Sequence, residues 1–522
     1  MTENTKDLRF ETAHLHSDLK GHSLRGGSAV MLSQGAIFML RLVSTAILAR
    51  LLSPTDFGLI AMVVTVAAFA DIFKDIGLSL ATVQWEKLTH HQASNLFWIN
   101  TATGAATMVA LMAFSPVMVW FYDEPRLMSI GLWLSLMFLF GGLSAQHSAL
   151  LKRQMRFGLL SLGEVLAMLL SVLVAVLLAW RWRGEADAYM ALVWMMISRP
   201  FFVMMAVWMT FRWVPGWVRR RVGTGDLVKF GAGVTGFNIV NYVTRSADNI
   251  LIGRFFGSLP LGLYAKAYQF LLLPIQQLRT PLVSVALPAL SALQHDPVGY
   301  RRYMQKLLAI LAFMTMPMMI YAAVFADMLV LVFFGPQWVA AIPFFTVFAL
   351  LGFLQPVAGM CGLVLTTTGR ARRFFLYGLL NGVIALVSFL MGLRWGAIGV
   401  AVAYTLANYL TLLPVWAFCF RGSPVSVDSF TVPLLRPALN SVAMGCFMWY
   451  GRALLPLPES VLLALFLSVL LSVLVYLLLF LASAGGRAFL SECLAYGRLV
   501  AVRAAGKSWS WTNGEIGRGR AS

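Results

Sequence analysis

Apolar stretches of about 20 residues recur along nearly the whole of this sequence. Each is long enough for an α-helix to cross the hydrocarbon core of a bilayer, roughly 30 Å thick. Hydrophobic residues make up 60% of the 522 residues and charged residues only 12%, whereas a soluble fold needs a more polar exterior. The sequence therefore predicts an all-α polytopic membrane protein. About 14 spans can be placed, at residues 27–51, 58–84, 92–120, 127–151, 159–180, 187–211, 229–253, 260–288, 303–330, 338–365, 372–393, 397–420, 432–451 and 459–483.

The distribution of basic residues predicts how these spans are oriented. An even number of spans puts both termini on one side, where the loops and the adjoining span ends hold 17 Lys and Arg residues, against 7 on the opposite side. Because loops rich in Lys and Arg stay in the cytoplasm, both termini are expected to be cytoplasmic. The net charge of +19 then mainly reflects the orientation of the spans. The expected partner of the protein is the lipid bilayer rather than a nucleic acid.

The longest basic connector follows the sixth span and divides the chain into two halves. A shift of 204 residues lays Arg41 on Arg245 and Gly58 on Gly262 without a gap. This match indicates an internal repeat: two pseudo-symmetric lobes of six helices around a central cavity, with a site near the midplane. The predicted organisation is an N-terminal tail at 1–26, an N-lobe at 27–211, a linker at 212–228, a C-lobe at 229–420, one extra helix pair at 421–483 and a basic C-terminal tail at 484–522.

Six basic residues lie at least six residues from either end of a predicted span, and a charge at the bilayer centre costs at least about 3 kcal/mol unless it faces a partner or water. Two of them, Arg41 and Arg245, lie about ten residues from the outer ends of their spans, or about 15 Å deep. Helical spacing places polar residues on the same faces as these arginines. They are Gln34, Ser44 and Thr45 in span 1, and Asn238, Asn241, Asp248 and Asn249 in span 7. The two polar stripes predict the walls of a water-filled cavity.

A purely structural interpretation of the same charges stays open. Asp71 with Lys74, and Arg245 with Asp248, have the i,i+3 spacing of ion pairs that help a helix to insert. Arg199 precedes Pro200 in the middle of its span, so it marks either a kink or a binding residue.

Four other polar residues in or near spans also have structural explanations. Lys266 lies near the outer end of span 8, where a lysine snorkels toward water. Arg279 shares that span with prolines, whose freed carbonyls need polar neighbours. Glu164 and His147 lie close to cytoplasmic helix ends and are expected at the membrane interface.

Two segments resemble a known family. DFGLIAMVVTVAAFADIFKDIGLSLATVQ (56–84) and ADNILIGRFFGSLPLGLYAKAYQFLLLP (247–274) are similar to the polysaccharide-transporter branch of the multidrug/oligosaccharidyl-lipid/polysaccharide exporter superfamily. The resemblance covers roughly residues 27–420 and extends to the extra helix pair. It implies a flippase that moves undecaprenyl-pyrophosphate-linked oligosaccharides from the cytoplasmic to the periplasmic leaflet of a bacterial inner membrane. Exopolysaccharide or O-antigen biosynthesis would use the product, with polysaccharide polymerase or export machinery as further partners.

The cargo that the resemblance implies gives roles to the predicted cavity residues. The first candidates for contacts with its anionic groups are Arg41, Arg245 and Lys74, and the second candidates are Arg199 and Arg279. The candidates for hydrogen bonds to sugar hydroxyls are Asn238, Asn241 and Gln34. The candidates for carrying a coupling proton are Asp71, Asp75 and Asp248.

Two other functions stay open. A drug or metabolite exporter of the same superfamily should carry buried acids for a cationic cargo, whereas here six membrane-embedded bases outnumber the clearly embedded acids Asp71, Asp75 and Asp248. A membrane glycosyltransferase or polymerase should have a sizeable extracytoplasmic loop, whereas every predicted outer loop is under about ten residues. The sequence has no GxxxxGK[ST], no HExxH and no metal-site spacing among its four cysteines, so a transporter without a cofactor or metal is expected.

Overall fold

The computed structural model describes residues 19–74, 78–85, 88–219, 246–454, 460–492 and 495. Within these ranges every regular element is a helix, which confirms the predicted all-α class. The helices are α1 (Leu19–Leu51), α2 (Pro54–Lys74), α3 (Leu78–Gln84), α4 (His90–Tyr122), α5 (Arg126–Leu134), α6 (Leu136–Arg153), α7 (Phe157–Arg181), α8 (Met190–Thr210), α9 (246–256), α10 (Ser258–Ala292), α11 (Pro297–Val324), α12 (Ala326–Phe333), α13 (Ile342–Ala358), α14 (Met360–Thr367), α15 (Ala371–Gly392), α16 (Gly396–Phe420), α17 (Val427–Leu454), α18 (Val461–Ala482) and α19 (484–492).

In the described part of the chain, eleven helical stretches are long and apolar enough to cross a membrane. The difference from the fourteen predicted spans has identifiable sources. Helices α15 and α16 form one continuous apolar stretch, although a tight turn with Gly396 at φ +79° separates them. Helix α17 matches predicted span 13 but contains Asp428, Arg436 and Arg452. Predicted span 7 begins outside the described ranges and continues as α9. The count of fourteen is consistent with these helices.

Local sequence signals explain where individual helices begin and end. Helix α4 begins at a capping box, in which Thr89 Oγ1 accepts from the Gln92 amide and Gln92 Oε1 accepts from the Thr89 amide. The same helix ends at Asp123, which adopts a left-handed conformation at φ 56°. Gly257 separates α9 from α10. Its φ angle is +81°, a backbone conformation that glycine adopts without strain.

The helices form two lobes with a shared apolar interior. In the N-lobe, α7 packs against α1 and α8, and α6 packs against α4 and α8. In the C-lobe, α13 packs against α10, α11 and α16. The lobes meet where α2 packs against α10, and one cluster of buried apolar residues extends through both.

The segment after α8 folds back onto the N-lobe instead of leaving it. Asn95 of α4 holds the backbone of Arg219 by two hydrogen bonds, donating to its carbonyl at 2.7 Å and accepting from its amide at 3.0 Å. Trp98 Nε1 donates to the carbonyl of Gly216 at 2.9 Å. The described start of the predicted linker is thus fixed to the N-lobe.

The predicted extra helix pair packs against the C-lobe. Helix α17 lies along α11, and Tyr321 of α11 shares a 2.9 Å hydrogen bond with Ser468 of α18. At the end of α17, Arg452 forms an ion pair with Asp327 of α12. These polar contacts fix the pair to the rest of the molecule at both of its helices.

Candidate functional site

A cavity of about 1040 Å³ lies between the two lobes. Helices α1, α2, α6, α7 and α8 line it from the N-lobe, with Ser79 of α3, while α9 and α10 line it from the C-lobe. A large part of its wall is polar, because serine, threonine, amide and charged side chains alternate with apolar ones. The polar lining residues are Arg41, Ser44, Thr45, Thr65, Ser79, Ser144, Ser148, Lys152, Glu164, Ser171, Arg199, Asn249, Lys266, Tyr268, Gln269 and Gln276.

One end of the cavity is shut by direct backbone contact between α2 and α10. A Cβ atom on Gly58 would lie 1.7 Å from the carbonyl oxygen of Ser258, and one on Gly262 would lie 1.9 Å from that of Pro54. Nearby, Trp338 Nε1 of the C-lobe donates to the carbonyl of Ala49 at the end of α1, at 2.8 Å. We call this the closed end of the cavity.

Four basic side chains line the described part of the cavity, against one acidic side chain. Counted along their helices at 1.5 Å per residue, Arg41 lies about 12 Å from Ala49 and Lys266 about 6 Å from Gly262, both at the closed end, while Arg199 lies about 14 Å from the start of α8. Lys152 is in the last turn of α6, at the opposite end of the bundle. The cations are thus distributed along the length of the cavity, which suits an anionic ligand.

Arg41 and Arg199 are available to a ligand. Neither side chain makes an ion pair or hydrogen bond within the described residues, and the two guanidinium groups are close enough for their charges to interact. Ser44, one turn after Arg41, uses its hydroxyl to donate to the Arg41 carbonyl at 3.0 Å. Two like charges held close together favour an anion that bridges them.

Lys266 points across the cavity from the C-lobe toward the N-lobe. Its Nζ lies 4.5 Å from the centroid of the Phe57 ring on α2 and donates to Gln269 Oε1 at 3.2 Å. The expectation that Lys266 snorkels toward the membrane surface is therefore wrong. The physical reason is the spacing of Lys266, Gln269 and Gln276, which share one face of α10 and make that face the polar wall of the cavity.

The two predicted stripes are only partly confirmed. Arg41, Ser44, Thr45 and Asn249 line the cavity, but Asp248 does not. It is buried, with 7% of its surface exposed, and accepts hydrogen bonds from Tyr264 Oη at 2.9 Å and from the Asn249 amide at 2.8 Å. Consecutive helical residues differ by about 100° in direction, so the cavity receives Asn249 while Asp248 faces the core.

Several other predicted residues lie elsewhere. Gln34 is exposed and does not line the cavity. Arg279 donates to the carbonyl of Gly359 at 3.1 Å inside the C-lobe, which supports its structural interpretation. Asp71 is half-buried near the end of α2, outside the lining. Lys74 is the last residue of α2, and its side chain is outside the described part. The remaining candidates lie outside the described residues: Asp75, Asn238, Asn241 and Arg245.

Sequence reasoning missed three charged residues of the cavity. Lys152 was assigned to a loop, Glu164 to the membrane interface and Lys266 to a snorkelling position, yet all three line the cavity. For Glu164 there was a usable signal: it lies seven residues into α7, about 10 Å from the helix start, which is deep for an interfacial carboxylate.

A second cavity, of about 470 Å³, lies on the other side of α10. Its walls come from α10, α11, α17 and α18 and are almost entirely apolar, including Phe270, Met318 and Val473. Helix α10 thus separates a polar cavity between the lobes from an apolar one beside the extra helix pair.

The chain resembles known proteins over most of its length. Residues 47–343 match the model of a family described as "Polysaccharide biosynthesis protein". The teichuronic acid biosynthesis protein TuaB of Bacillus subtilis (strain 168) is 28% identical over 431 residues, 81% of this chain and 87% of that protein. The lipopolysaccharide biosynthesis protein WzxC of Escherichia coli (strain K12) is 23% identical over 76% of this chain and 80% of that protein.

Two solved structures show the same fold. The lipid II flippase MurJ, in an inward closed conformation, gives a TM-score of 0.69 at 14% identity, covering 86% of this chain and 97% of that one. An inward-facing multidrug resistance MATE family transporter of the MOP superfamily gives 0.55 at 11% identity, covering 78% and 94%. The predicted all-α polytopic architecture agrees with this fold.

Proposed function

The chain belongs to the polysaccharide biosynthesis protein family, and on that premise we propose that it is a flippase for lipid-linked oligosaccharides. Its cargo is an undecaprenyl-pyrophosphate-linked repeat unit, moved from the cytoplasmic to the periplasmic leaflet of a bacterial inner membrane for exopolysaccharide or O-antigen biosynthesis. The observation that carries the proposal is the cavity between the lobes, with four cations and one acid among its described lining residues.

The chemistry of the cavity fits such a cargo. A pyrophosphate crossing hydrocarbon loses its hydration, and guanidinium groups replace it with charge-assisted hydrogen bonds. In this proposal Arg41 and Arg199 hold the pyrophosphate, and Lys266, nearer the closed end, offers a further positive charge. Asn249, Gln269 and other polar wall residues offer hydrogen bonds to sugar hydroxyls. The prenyl chain is apolar and stays in the surrounding lipid.

The closed end of the cavity corresponds to the periplasmic side in this proposal, because the basic loops place both termini in the cytoplasm. The cavity then takes up cargo from the cytoplasmic side. Release requires α2 and α10 to separate at Gly58 and Gly262, while the lobes come together at the other end.

The two alternatives have less support. An exporter of cationic drugs would bind its cargo with acids, whereas the described cavity wall is dominated by bases. An enzyme would need catalytic groups outside the membrane, whereas the described connections near the closed end are short, at 52–53, 123–125 and 182–189.

Transport in proteoliposomes tests the proposal. The purified protein should move a fluorescent undecaprenyl-pyrophosphate oligosaccharide between leaflets, measured by protection from a membrane-impermeant quencher. Arg41→Ala and Arg199→Ala should each reduce the rate at least tenfold, because each removes a charge-assisted contact worth about 1.5–3 kcal/mol. The matched control is Arg181→Ala, since Arg181 is exposed and outside the cavity. Equal rates for the wild type and both cavity variants would contradict the proposal.

A further inference from the structure

Glu164 is the one acidic side chain among the described residues that line the cavity, where it shares the wall with four bases. It projects from α7, which packs between α1 with Arg41 and α8 with Arg199. Its charge reaches Arg199 electrostatically, but no hydrogen bond or ion pair within 4 Å joins Glu164 to any described side chain. Glu164 is therefore close enough to Arg199 to affect it, but the two side chains are not joined in an ion pair.

This placement matters because the cavity must exist without cargo during part of each transport cycle. Cations that share a confined cavity repel one another, and the repulsion grows when water is excluded from the cavity. A carboxylate in the same wall offsets one of those charges. When an anionic cargo is present, the same carboxylate repels it and competes with it for Arg199.

We propose that Glu164 is the counter-anion of the empty cavity: without a direct ion pair it offsets the positive charge of Arg199 when no cargo is bound, and it competes with a pyrophosphate group that enters. This role rests on the flippase function proposed above. It concerns the step in which the empty protein returns to the state that binds cargo. After the cargo leaves, Glu164 restores a counter-charge, so the empty cavity can close and return. The carboxylate thereby weakens cargo binding and speeds turnover.

Binding of inorganic pyrophosphate to the full chain in nanodiscs of neutral lipid tests the first half of this role. Glu164→Gln removes the charge and keeps the size of the side chain, so it should bind pyrophosphate about three- to tenfold more tightly than the wild type, measured by titration calorimetry. Glu164→Asp keeps the charge and should bind within about twofold of the wild type. Glu185→Gln, which removes an exposed carboxylate outside the cavity, is the matched control.

A double-mutant cycle identifies the partner. If Glu164 acts on Arg199, Glu164→Gln should tighten pyrophosphate binding much less in an Arg199→Gln background than in the wild type. In the proteoliposome assay, Glu164→Gln should lower both the half-saturating cargo concentration and the maximal rate, because tighter binding is accompanied by a slower return. A merely structural role would lower the amount of folded protein without tightening the binding.

The outcomes separate this inference from the function on which it rests. If the wild type binds pyrophosphate and Arg41→Ala weakens that binding, while Glu164→Gln leaves it unchanged or weaker, the counter-anion role is wrong and the flippase function stands. Equal tightening by Glu164→Gln with and without Arg199 would also overturn the role. If the wild type neither binds pyrophosphate nor moves the lipid-linked cargo, both proposals fall.

Discussion

Gly58 and Gly262 face each other across the boundary between the lobes, and a Cβ atom on either would lie within 3.0 Å of the other's backbone nitrogen. The two positions are 204 residues apart, the same offset that matches Arg41 with Arg245. Two positions that the 204-residue offset predicts to be equivalent thus meet where α2 packs against α10. Only glycine allows this approach, because any side chain would overlap a carbonyl oxygen of the opposite helix.

The first prediction concerns this closed end. Gly58→Ala and Gly262→Ala should each force α2 and α10 apart and favour the state in which the closed end is open. A cysteine introduced at Ser258 should then react faster with an impermeant maleimide applied from the periplasmic side. Gly35→Ala is the matched control, because a Cβ there meets nothing within 4 Å. Unchanged labelling in both glycine variants would show that this contact does not control access.

The second prediction concerns Lys266, which extends from the C-lobe to the Phe57 ring of the N-lobe. Lys266→Met keeps most of the side-chain volume and removes the charge, so it should weaken pyrophosphate binding by about tenfold, the loss of one charge-assisted contact. Phe57→Leu should weaken it less, because it leaves the ammonium group in place. If Lys266→Met has normal thermal stability and binds pyrophosphate like the wild type, Lys266 does not contribute to the binding site.

Much of this architecture could be predicted from the sequence, because the bilayer imposes length and apolarity on every spanning helix. Arg41 was also correctly placed, since no acid in its own span could neutralise it. The errors concern side-chain direction. Asp248 and Asn249 are adjacent, and only the packing of α9 decides which of them faces the cavity. Lys266 lies near the start of α10, where snorkelling is an equally good explanation, whereas the depth of Glu164 in α7 already argues against the membrane interface.

The third prediction concerns orientation. Reporter fusions after Arg220 and Arg372 should be active as cytoplasmic reporters, and fusions after Glu185 and Gly335 as periplasmic ones, because the basic loops are expected to stay in the cytoplasm. Two inverted results among these four fusions would contradict the fourteen-span topology and the assignment of the closed end to the periplasm.

The fourth prediction concerns the ion pair that fixes the extra helix pair. Burial raises the pKa of Asp327, but hydrogen bonds and the charge of Arg452 outweigh it and hold this pKa below its ordinary value. The folded state therefore gains stability above the unfolded-state pKa of about 4, and loses that gain as the pH falls through the lower folded-state pKa. Asp327→Asn should lower the thermal midpoint at neutral pH by an amount that shrinks in acid.

Both side chains of this pair are partly exposed, so the loss should be at most about 1 kcal/mol. Differential scanning fluorimetry of the detergent-purified protein at neutral and acidic pH measures it. Asp428→Asn is the control for a general effect of removing a negative charge. Asp428 lies in the first turn of α17, the helix that also carries Arg452. An equal decrease at both pH values would show that Asp327 does not act through its charge.

The last prediction concerns coupling. We propose that Asp248 carries the coupling proton, because it is buried beside the cavity residue Asn249 and its carboxylate is held by Tyr264. Asp248→Asn can still accept a hydrogen bond from Tyr264, so the protein level should stay normal, whereas Asp248→Leu leaves that hydroxyl unpaired and should lower it. In proteoliposomes, Asp248→Asn should bind pyrophosphate like the wild type but no longer respond to an imposed pH gradient. Asp187→Asn, an exposed acid outside the cavity, is the control and should keep the response. If Asp248→Asn still responds normally to the pH gradient, Asp248 does not carry the proton, and Asp71 and Asp75 become the candidates. If the wild type transports its cargo without any ion gradient, transport is not coupled to protons.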